Sequence, residues 1–342
     1  MSLREPPAVR ETLARAIGAA RLRDGAAPRD LVDDLLPPVV ARPESAGEVA
    51  ELLGCAAREG FAVIPTAGGT RRAFGNPPER ADVLLDLGAL ASLREWSPRD
   101  GVLVAEPALA VGDAERLVAA DAQTLAGDWP VRSTGTLGGS AAAGRPPLDA
   151  LGPAGPRWSV IGVEVALPDG TLRRHGARVA KNVAGFDVTR LHVGALGTLG
   201  VITEITLRAR PRAGRKSETP FSESNAFRAN VLGPDGTEVA AVELRMPGGR
   251  LAPAEPPTTL CLDEPADSAS ARDRFRAWLA RWREVASAAN GVAIVLAAPP
   301  SWKRDVDVWC GEPPAALPLM RKLKALYDPT RVLNPGRYVA GL

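Results

Sequence analysis

Three stretches of this 342-residue chain are stripped of side-chain bulk: Gly68-Gly69 in "TAGGTRRAFGNPP", Gly135 to Gly139 in "STGTLGGSAAAG", and Gly194, Gly197 and Gly200 in "GALGTLG". Glycine lets backbone N–H groups come close to a phosphate oxygen, and successive N–H groups form an anion-binding concavity. Taken singly, each stretch reads first as a tight turn, because glycine clusters are common between strands. Taken together, and each set directly between regular elements, they suit an extended diphosphate ligand. Two common nucleotide signatures are missing. "GALGTLG" is not the G-x-G-x-x-G of a dinucleotide fold, and the Gly-Lys-Ser/Thr of a P-loop occurs nowhere.

Other chemistry-bearing residues are sparse. Cys55, Cys261 and Cys310 are far apart and form no C-x-x-C, and the histidines are His175 and His192 alone. No protein-held metal site or iron–sulfur cluster is expected, so electrons leaving through iron and sulfur would need a cluster on another chain. His175 follows a hairpin turn and reads as exposed, and His192 reads as either structural or catalytic. Arg245 and Lys303 are candidate carboxylate binders, with a solvated surface position as the plainer reading. Cys55 falls at a buried helical spacing.

The elements that must position the glycine stretches can be followed along the chain. "PPVVARP" reads as a strand. Ser45 with Glu48 forms a capping box, Val49, Leu52, Leu53 and Ala56 recur at helical spacing, Gly60 ends the helix, and "FAVIP" is the next buried strand. "VIGVEVALPDGTLRRHG" reads as a hairpin, with Asp169-Gly170 suggesting a type I′ turn. "KNVAGFDVTRLHVGALGTLGVITEITL" reads as loop, helix and strand. Composition turns basic and polar at "RARPRAGRKSETP". Beyond it strands are expected near 238–246, 258–263 and 292–298, with a helix that puts Phe275, Trp278, Leu279, Trp282 and Ala286 on one face. The tail is a helix ending before Asp328-Pro329, followed by an extended segment.

Lys and Arg total 42 against 40 for Asp and Glu, a net charge of +2 with the arginines scattered among carboxylates, which leaves no electrostatic footprint for nucleic acid. No stretch approaches the ~18 uncharged apolar residues of a membrane span, and the N-terminal segment reads as a short amphipathic helix with no cleavable leader. A cytoplasmic location is expected, with any membrane association made through partner subunits.

"VIPTAGGTRRAFG", "STGTLGGSAAAG", "KNVAGFDVTRLHVGALGTLGVITEITLRARP" and "DPTRVLNPGRY" occur in the order in which the FAD-linked oxidases of the vanillyl-alcohol-oxidase (PCMH) type carry their signatures, and the chain resembles that family over about residues 37–212 and again in its last twenty residues. Within it, "KNVAGFD" with "GALGTLG" is most similar to the E subunits of bacterial glycolate oxidases, although related catalytic chains usually carry Glu at the place of Leu196. The resemblance implies an α+β fold: an N-terminal helical extension (1–36), a two-part PCMH-type FAD-binding domain (37–212), a small, truncated α+β cap domain (213–318) and a C-terminal segment (319–342) that returns to the FAD domain.

The resemblance also implies a site. Ala67, Gly68, Gly69, Thr70 and Arg71 would receive the FAD pyrophosphate on backbone amides, joined by Thr136, Leu137, Gly138 and Gly139, with Thr66 and Gly135 also at the cofactor. Gly200, Val201 and Ile202 would present backbone to the adenosine end. Lys181 and Asn182 would face the flavin or its pocket wall, with a solvated surface lysine as the alternative for Lys181. Asn334 would bring the tail back to the cofactor. Thr70 and Arg71 stand where covalent members place the His or Cys that tethers flavin, so the FAD is expected to be non-covalent.

Catalytic residues are not identifiable. Relatives that oxidise 2-hydroxy acids use histidines in the second half of the chain, and here none follows residue 192. The expected role is therefore the FAD-binding subunit of a multi-chain 2-hydroxy-acid dehydrogenase of the glycolate oxidase type. Its expected partners are a longer catalytic flavoprotein and an iron–sulfur subunit, with Trp302 and Trp309 as candidate contact residues. The alternatives are a stand-alone FAD-dependent dehydrogenase of an unknown alcohol or acid, and a non-catalytic structural subunit with a retained flavin site.

Overall fold

The computed structural model describes residues 6–25, 27–127, 129, 134–144, 156–177, 187–212, 226–245, 259–288, 291–309 and 315–342. The first sheet is built from short, strongly apolar strands: β1 (Leu22–Asp24), β2 (Val39–Ala41), β3 (Val63–Thr66) and β4 (Val83–Asp86), in the order β1-β2-β4-β3. β2, β4 and β3 are parallel, and β1 joins antiparallel to β2. α1 (Pro6–Ile17) and α2 (Ala46–Glu59) cover the sheet. Val9, Leu13 and Ile17 of α1 share one buried core with Leu52 and Leu53 of α2, so the N-terminal extension supplies both a helix and an edge strand.

The strand–helix–strand reading of 37–65 holds. Ser45 caps α2 by accepting a hydrogen bond from the Glu48 amide at 3.1 Å, and Gly60 ends the helix with φ +72°. Only half of the capping box forms, because Glu48 Oε2 accepts from the Glu44 amide at 2.7 Å and not from Ser45.

The second sheet is antiparallel and holds β5 (Leu93–Ser97), β6 (Val102–Ala105), β8 (Val160–Ala166), β9 (Leu172–Gly176) and β10 (Val201–Pro211), in the order β5-β6-β10-β8-β9, with β7 (Gln123–Leu125) also on β10. α3 (Val111–Ala119) and α4 (Leu137–Ala143) pack on it through Val111, Ala114, Val118, Leu137 and Ala141. The β8–β9 hairpin forms as read, but its turn is not type I′. Pro168 occupies the second turn position, where its ring holds φ negative, the Gly170 amide donates to the Leu167 carbonyl at 3.0 Å, and Gly170 alone takes positive φ (+80°).

The third sheet runs β13-β11-β12-β14: β11 (Ala226–Leu232), β12 (Glu238–Arg245), β13 (Thr259–Cys261) and β14 (Val292–Ala297). α7 (Ala269–Ala288) lays Phe275, Trp278, Leu279, Trp282 and Ala286 on it, the face expected from the sequence. β11 has no counterpart in the sequence reading. Short helices α5 (Pro156–Ser159), α6 (Thr189–His192) and α8 (Pro300–Asp305) connect these units, and α9 (Leu317–Tyr327) opens the tail. Beyond α9 the chain returns to β3: Val63 donates to the Val332 carbonyl at 2.7 Å and Asn334 to the Val63 carbonyl at 3.0 Å. The fold is mixed α+β, a two-part unit built on the first two sheets with a smaller α+β unit after it.

Candidate cofactor site

Two contiguous cavities lie where the glycine stretches meet. The outer one is lined by Thr66, Ala67, Gly68, Gly69, Thr70 and Arg71, with Arg72, Thr136, Gly139, Asn334 and Arg337. The inner one is lined by Leu87, Pro107, Gly138, His192, Gly200, Val201 and Ile202, and it shares Thr66, Ala67, Gly139 and Leu196 with the outer. Residues up to 273 positions apart in the chain thus reach one place by the folding of both sheets and the tail. Lys181 and Asn182 lie outside the described residues. Gly135 is buried just outside the cavity walls, with its carbonyl taken by the Val111 amide at 3.0 Å.

The loops differ in what they offer a ligand. The amides of Gly68, Gly69, Thr70 and Arg71 have no hydrogen-bond partner among the described residues, so the first loop presents free donors. The second does not. Leu137 and Gly138 donate to the carbonyls of Leu109 (2.9 Å) and Pro107 (2.8 Å), and Gly139 donates to Thr136 Oγ1 (3.3 Å). The expected amide donation from Leu137, Gly138 and Gly139 is therefore corrected: their donors are already committed, and Gly138 and Gly139 give close-approach surface. The third stretch is architectural as well. Gly194 and Leu196 donate to the carbonyls of Ala141 and Ala142, both at 2.9 Å, and a Cβ on Gly144 would lie 2.5 Å from Gly194 Cα, so α4 and this loop meet backbone to backbone.

The outer cavity gathers three guanidinium groups. Burial pushes the pKa of Arg71, Arg72 and Arg337 down from the ordinary arginine value, partly opposed by Glu243 at Arg71, by Asp30 and Asp86 at Arg72, and by Asp33 at Arg337. Arg71 Nη1 and Arg72 Nε are buried without a partner among the described residues. Buried cations with unused donors, beside four free amides, fit a diphosphate better than any neutral ligand. Asn334, itself at φ +46°, donates from Nδ2 to the Leu196 carbonyl at 2.6 Å and points an unpartnered Oδ1 into the same region.

Several chemistry-bearing residues have other roles. Lys303 is buried, paired with Asp33, and donates to the Ala73 carbonyl at 2.8 Å, so it is neither solvated nor free to take a substrate carboxylate. Its burial lowers its pKa, with Asp33 opposing. Arg337 Nη1 reaches the other Asp33 oxygen at 3.2 Å. Sequence reasoning missed this cluster because its members lie as far as 304 positions apart. Arg245 ends β12, and its side chain lies outside the described residues. His175 is half-buried and not exposed, because its ring stacks on His192 at 5.7 Å. Trp302 and Trp309 are core, against Phe275 (4.9 Å) and Tyr338 (4.8 Å) respectively. Cys55 is buried in α2, away from both cavities, and burial raises its thiol pKa.

Comparison with known proteins agrees with this geometry. Residues 37–176 match the FAD binding domain family. A curated FAD-linked oxidoreductase of Mycobacterium tuberculosis, itself uncharacterised, is 27% identical over 63% of this chain and 49% of its own length. Glycolate oxidase subunit GlcD of Bacillus subtilis is 28% identical over 53% of this chain and 38% of that protein. The chain thus spans about half or less of the length of these relatives. The crystal structure of p-cresol methylhydroxylase with substrate bound superposes with a TM-score of 0.50 at 15% identity, covering 60% of this chain and 43% of that one, a likeness of fold alone. Over residues 37–176 the chain is thus similar to an FAD binding domain. FAD is the cofactor these residues fit: Gly68 to Arg71 with Arg72 and Arg337 for its diphosphate, and the inner cavity for an adjoining part.

Proposed function

We propose that this chain is the FAD-binding subunit of a multi-chain 2-hydroxy-acid dehydrogenase of the glycolate oxidase type. FAD supplies hydride and electron transfer chemistry when bound. What supports a dependent role is the placing of the chain's two histidines. Both sit on the FAD domain, stacked on each other beside the inner cavity, and the third-sheet unit has none to act as a base poised near neutral pH. The partners this reading requires are a catalytic flavoprotein and an iron–sulfur chain. Leu319 and Leu326, 59% and 74% exposed and two turns apart on α9, offer apolar contact surface that the buried Trp302 and Trp309 do not. Among the described residues no helix is long and apolar enough to cross a membrane.

A stand-alone dehydrogenase is the second reading. It is favoured by a separate cavity of about 550 Å³ beside Ala143, lined by Trp309, Met320 and Leu323, with Arg157 able to meet a carboxylate, whereas Arg190 is paired with Asp187 at 2.7 Å. Co-production separates the two. Activity with glycolate or D-lactate that appears only when this chain is made with a longer flavoprotein and an iron–sulfur chain, and that vanishes when this chain is omitted, is the expected result.

A further inference from the structure

Among the described residues, His192 is the only titratable side chain on the wall of the inner cavity. It is 2% exposed, and neither Nδ1 nor Nε2 has a hydrogen-bond partner among the described residues. A Cβ built on Gly200 would lie 3.4 Å from His192 Cε1, the carbon between the two nitrogens, so that edge of the ring faces Gly200. The ring is held by His175 stacked at 5.7 Å and by the edge contact of Tyr327 at 5.7 Å. Burial foremost, with His175 adding to it, keeps the imidazole neutral, and a neutral imidazole offers one donor and one acceptor. Leaving such a group unsatisfied is costly, and a ligand carrying the complementary pair relieves that cost.

The rest of the wall narrows the ligand. Leu87, Pro107, Leu196, Val201 and Ile202 are apolar, and the outer cavity, with its guanidinium groups and free amides, shares Thr66, Ala67, Gly139 and Leu196 with it. A flat heteroaromatic group with donors and acceptors on its edge, joined to a diphosphate, satisfies both halves. We propose that His192 hydrogen-bonds the adenosine half of FAD, and that this contact contributes to a preference for FAD over FMN. The inference rests on the FAD reading and goes beyond it.

The test compares FAD and FMN binding to the apoprotein of wild type and of His192→Phe, which keeps a ring against His175 and Tyr327. The FAD dissociation constant is expected to rise about tenfold with that of FMN unchanged. An equal change for both flavins, or none for FAD, overturns the proposal. Should His192→Phe fail to fold, wild-type protein labelled with 15N in its imidazoles gives the same answer, since it has only two histidines. ADP should move the His192 ring signals and FMN should not, and signals that ADP leaves in place overturn the contact. Wild type that binds neither FAD nor ADP would instead overturn the cofactor reading itself.

Discussion

A methyl group on Gly69 would sit 2.8 Å from Arg72 Nη2, the end of a flexible side chain, whereas one on Gly138 would sit 2.4 Å from Pro107 Cβ, which cannot swing away. The two glycines therefore fail differently when replaced. Gly69→Val, at φ +70°, carries a strain of about 1 kcal/mol and fills the approach to the free amides, so FAD binding should be lost with a modest drop in the melting temperature of the apoprotein. Gly138→Val should destabilise the apoprotein itself by about 1–3 kcal/mol. Wild-type melting and full flavin occupancy in both would reduce these loops to plain turns. With Thr70 at the tethering position, acid precipitation should leave FAD in the supernatant, and flavin in the pellet would contradict non-covalent binding. His192 makes a pH prediction. Its pKa is lowered to about 4, chiefly by burial and then by His175, against about 6.5 unfolded, so the unfolded chain binds the extra proton between those values. The contribution is complete above about pH 6.5 and is lost as the pH falls toward 4, on the order of 3 kcal/mol. Melting curves of wild type should fall more steeply than those of His192→Phe over that window, and parallel curves would contradict the buried neutral state.

At the level of elements, the tail is fixed by one buried lysine. Lys324 on α9 donates to the carbonyls of Thr198 (2.8 Å) and Leu333 (2.9 Å) and to Asp328 Oδ2 (2.6 Å), while Asp328 accepts from the amides of Val332 and Leu333. Helix, third glycine loop and returning strand are thus tied at one point. Lys324→Met leaves Asp328 buried without its cation and should cost about 3–5 kcal/mol in unfolding free energy measured by denaturant titration. A change within 0.5 kcal/mol would show that the tail is held by its strand pairing alone. Elements governed by local rules were legible in the sequence: α2 between Ser45 and Gly60, the β8–β9 hairpin, and the apolar face of α7. The type of the hairpin turn was misread because Pro168 outweighs the Asp-Gly pair. The convergence of Gly68–Arg71, Gly138, Gly200–Ile202 and Asn334 was legible only through the family resemblance. The rest depended on distant partners that no local pattern encodes: Asp33 for Lys303, 270 residues away, Pro107 and Leu109 for the amides after Thr136, and Tyr338 for Trp309.

Across the whole molecule, four buried clusters among the described residues contribute to the walls of the cofactor cavities. The third-sheet core reaches the FAD domain through Phe74 and Ala143, and the Asp33–Lys303–Arg337 cluster pins the N-terminal extension, α8 and the tail to the first loop. Such a molecule can hold a flavin firmly while leaving substrate chemistry to another chain, and that division is the central claim. The most direct test is to mix the isolated, FAD-loaded chain anaerobically with glycolate or D-lactate and follow the flavin absorbance near 450 nm, a wavelength set by the oxidised cofactor itself. The expected result is a spectrum that stays oxidised with either acid and bleaches on addition of dithionite. Rapid bleaching by a small 2-hydroxy acid alone would contradict the subunit role and establish a self-sufficient dehydrogenase.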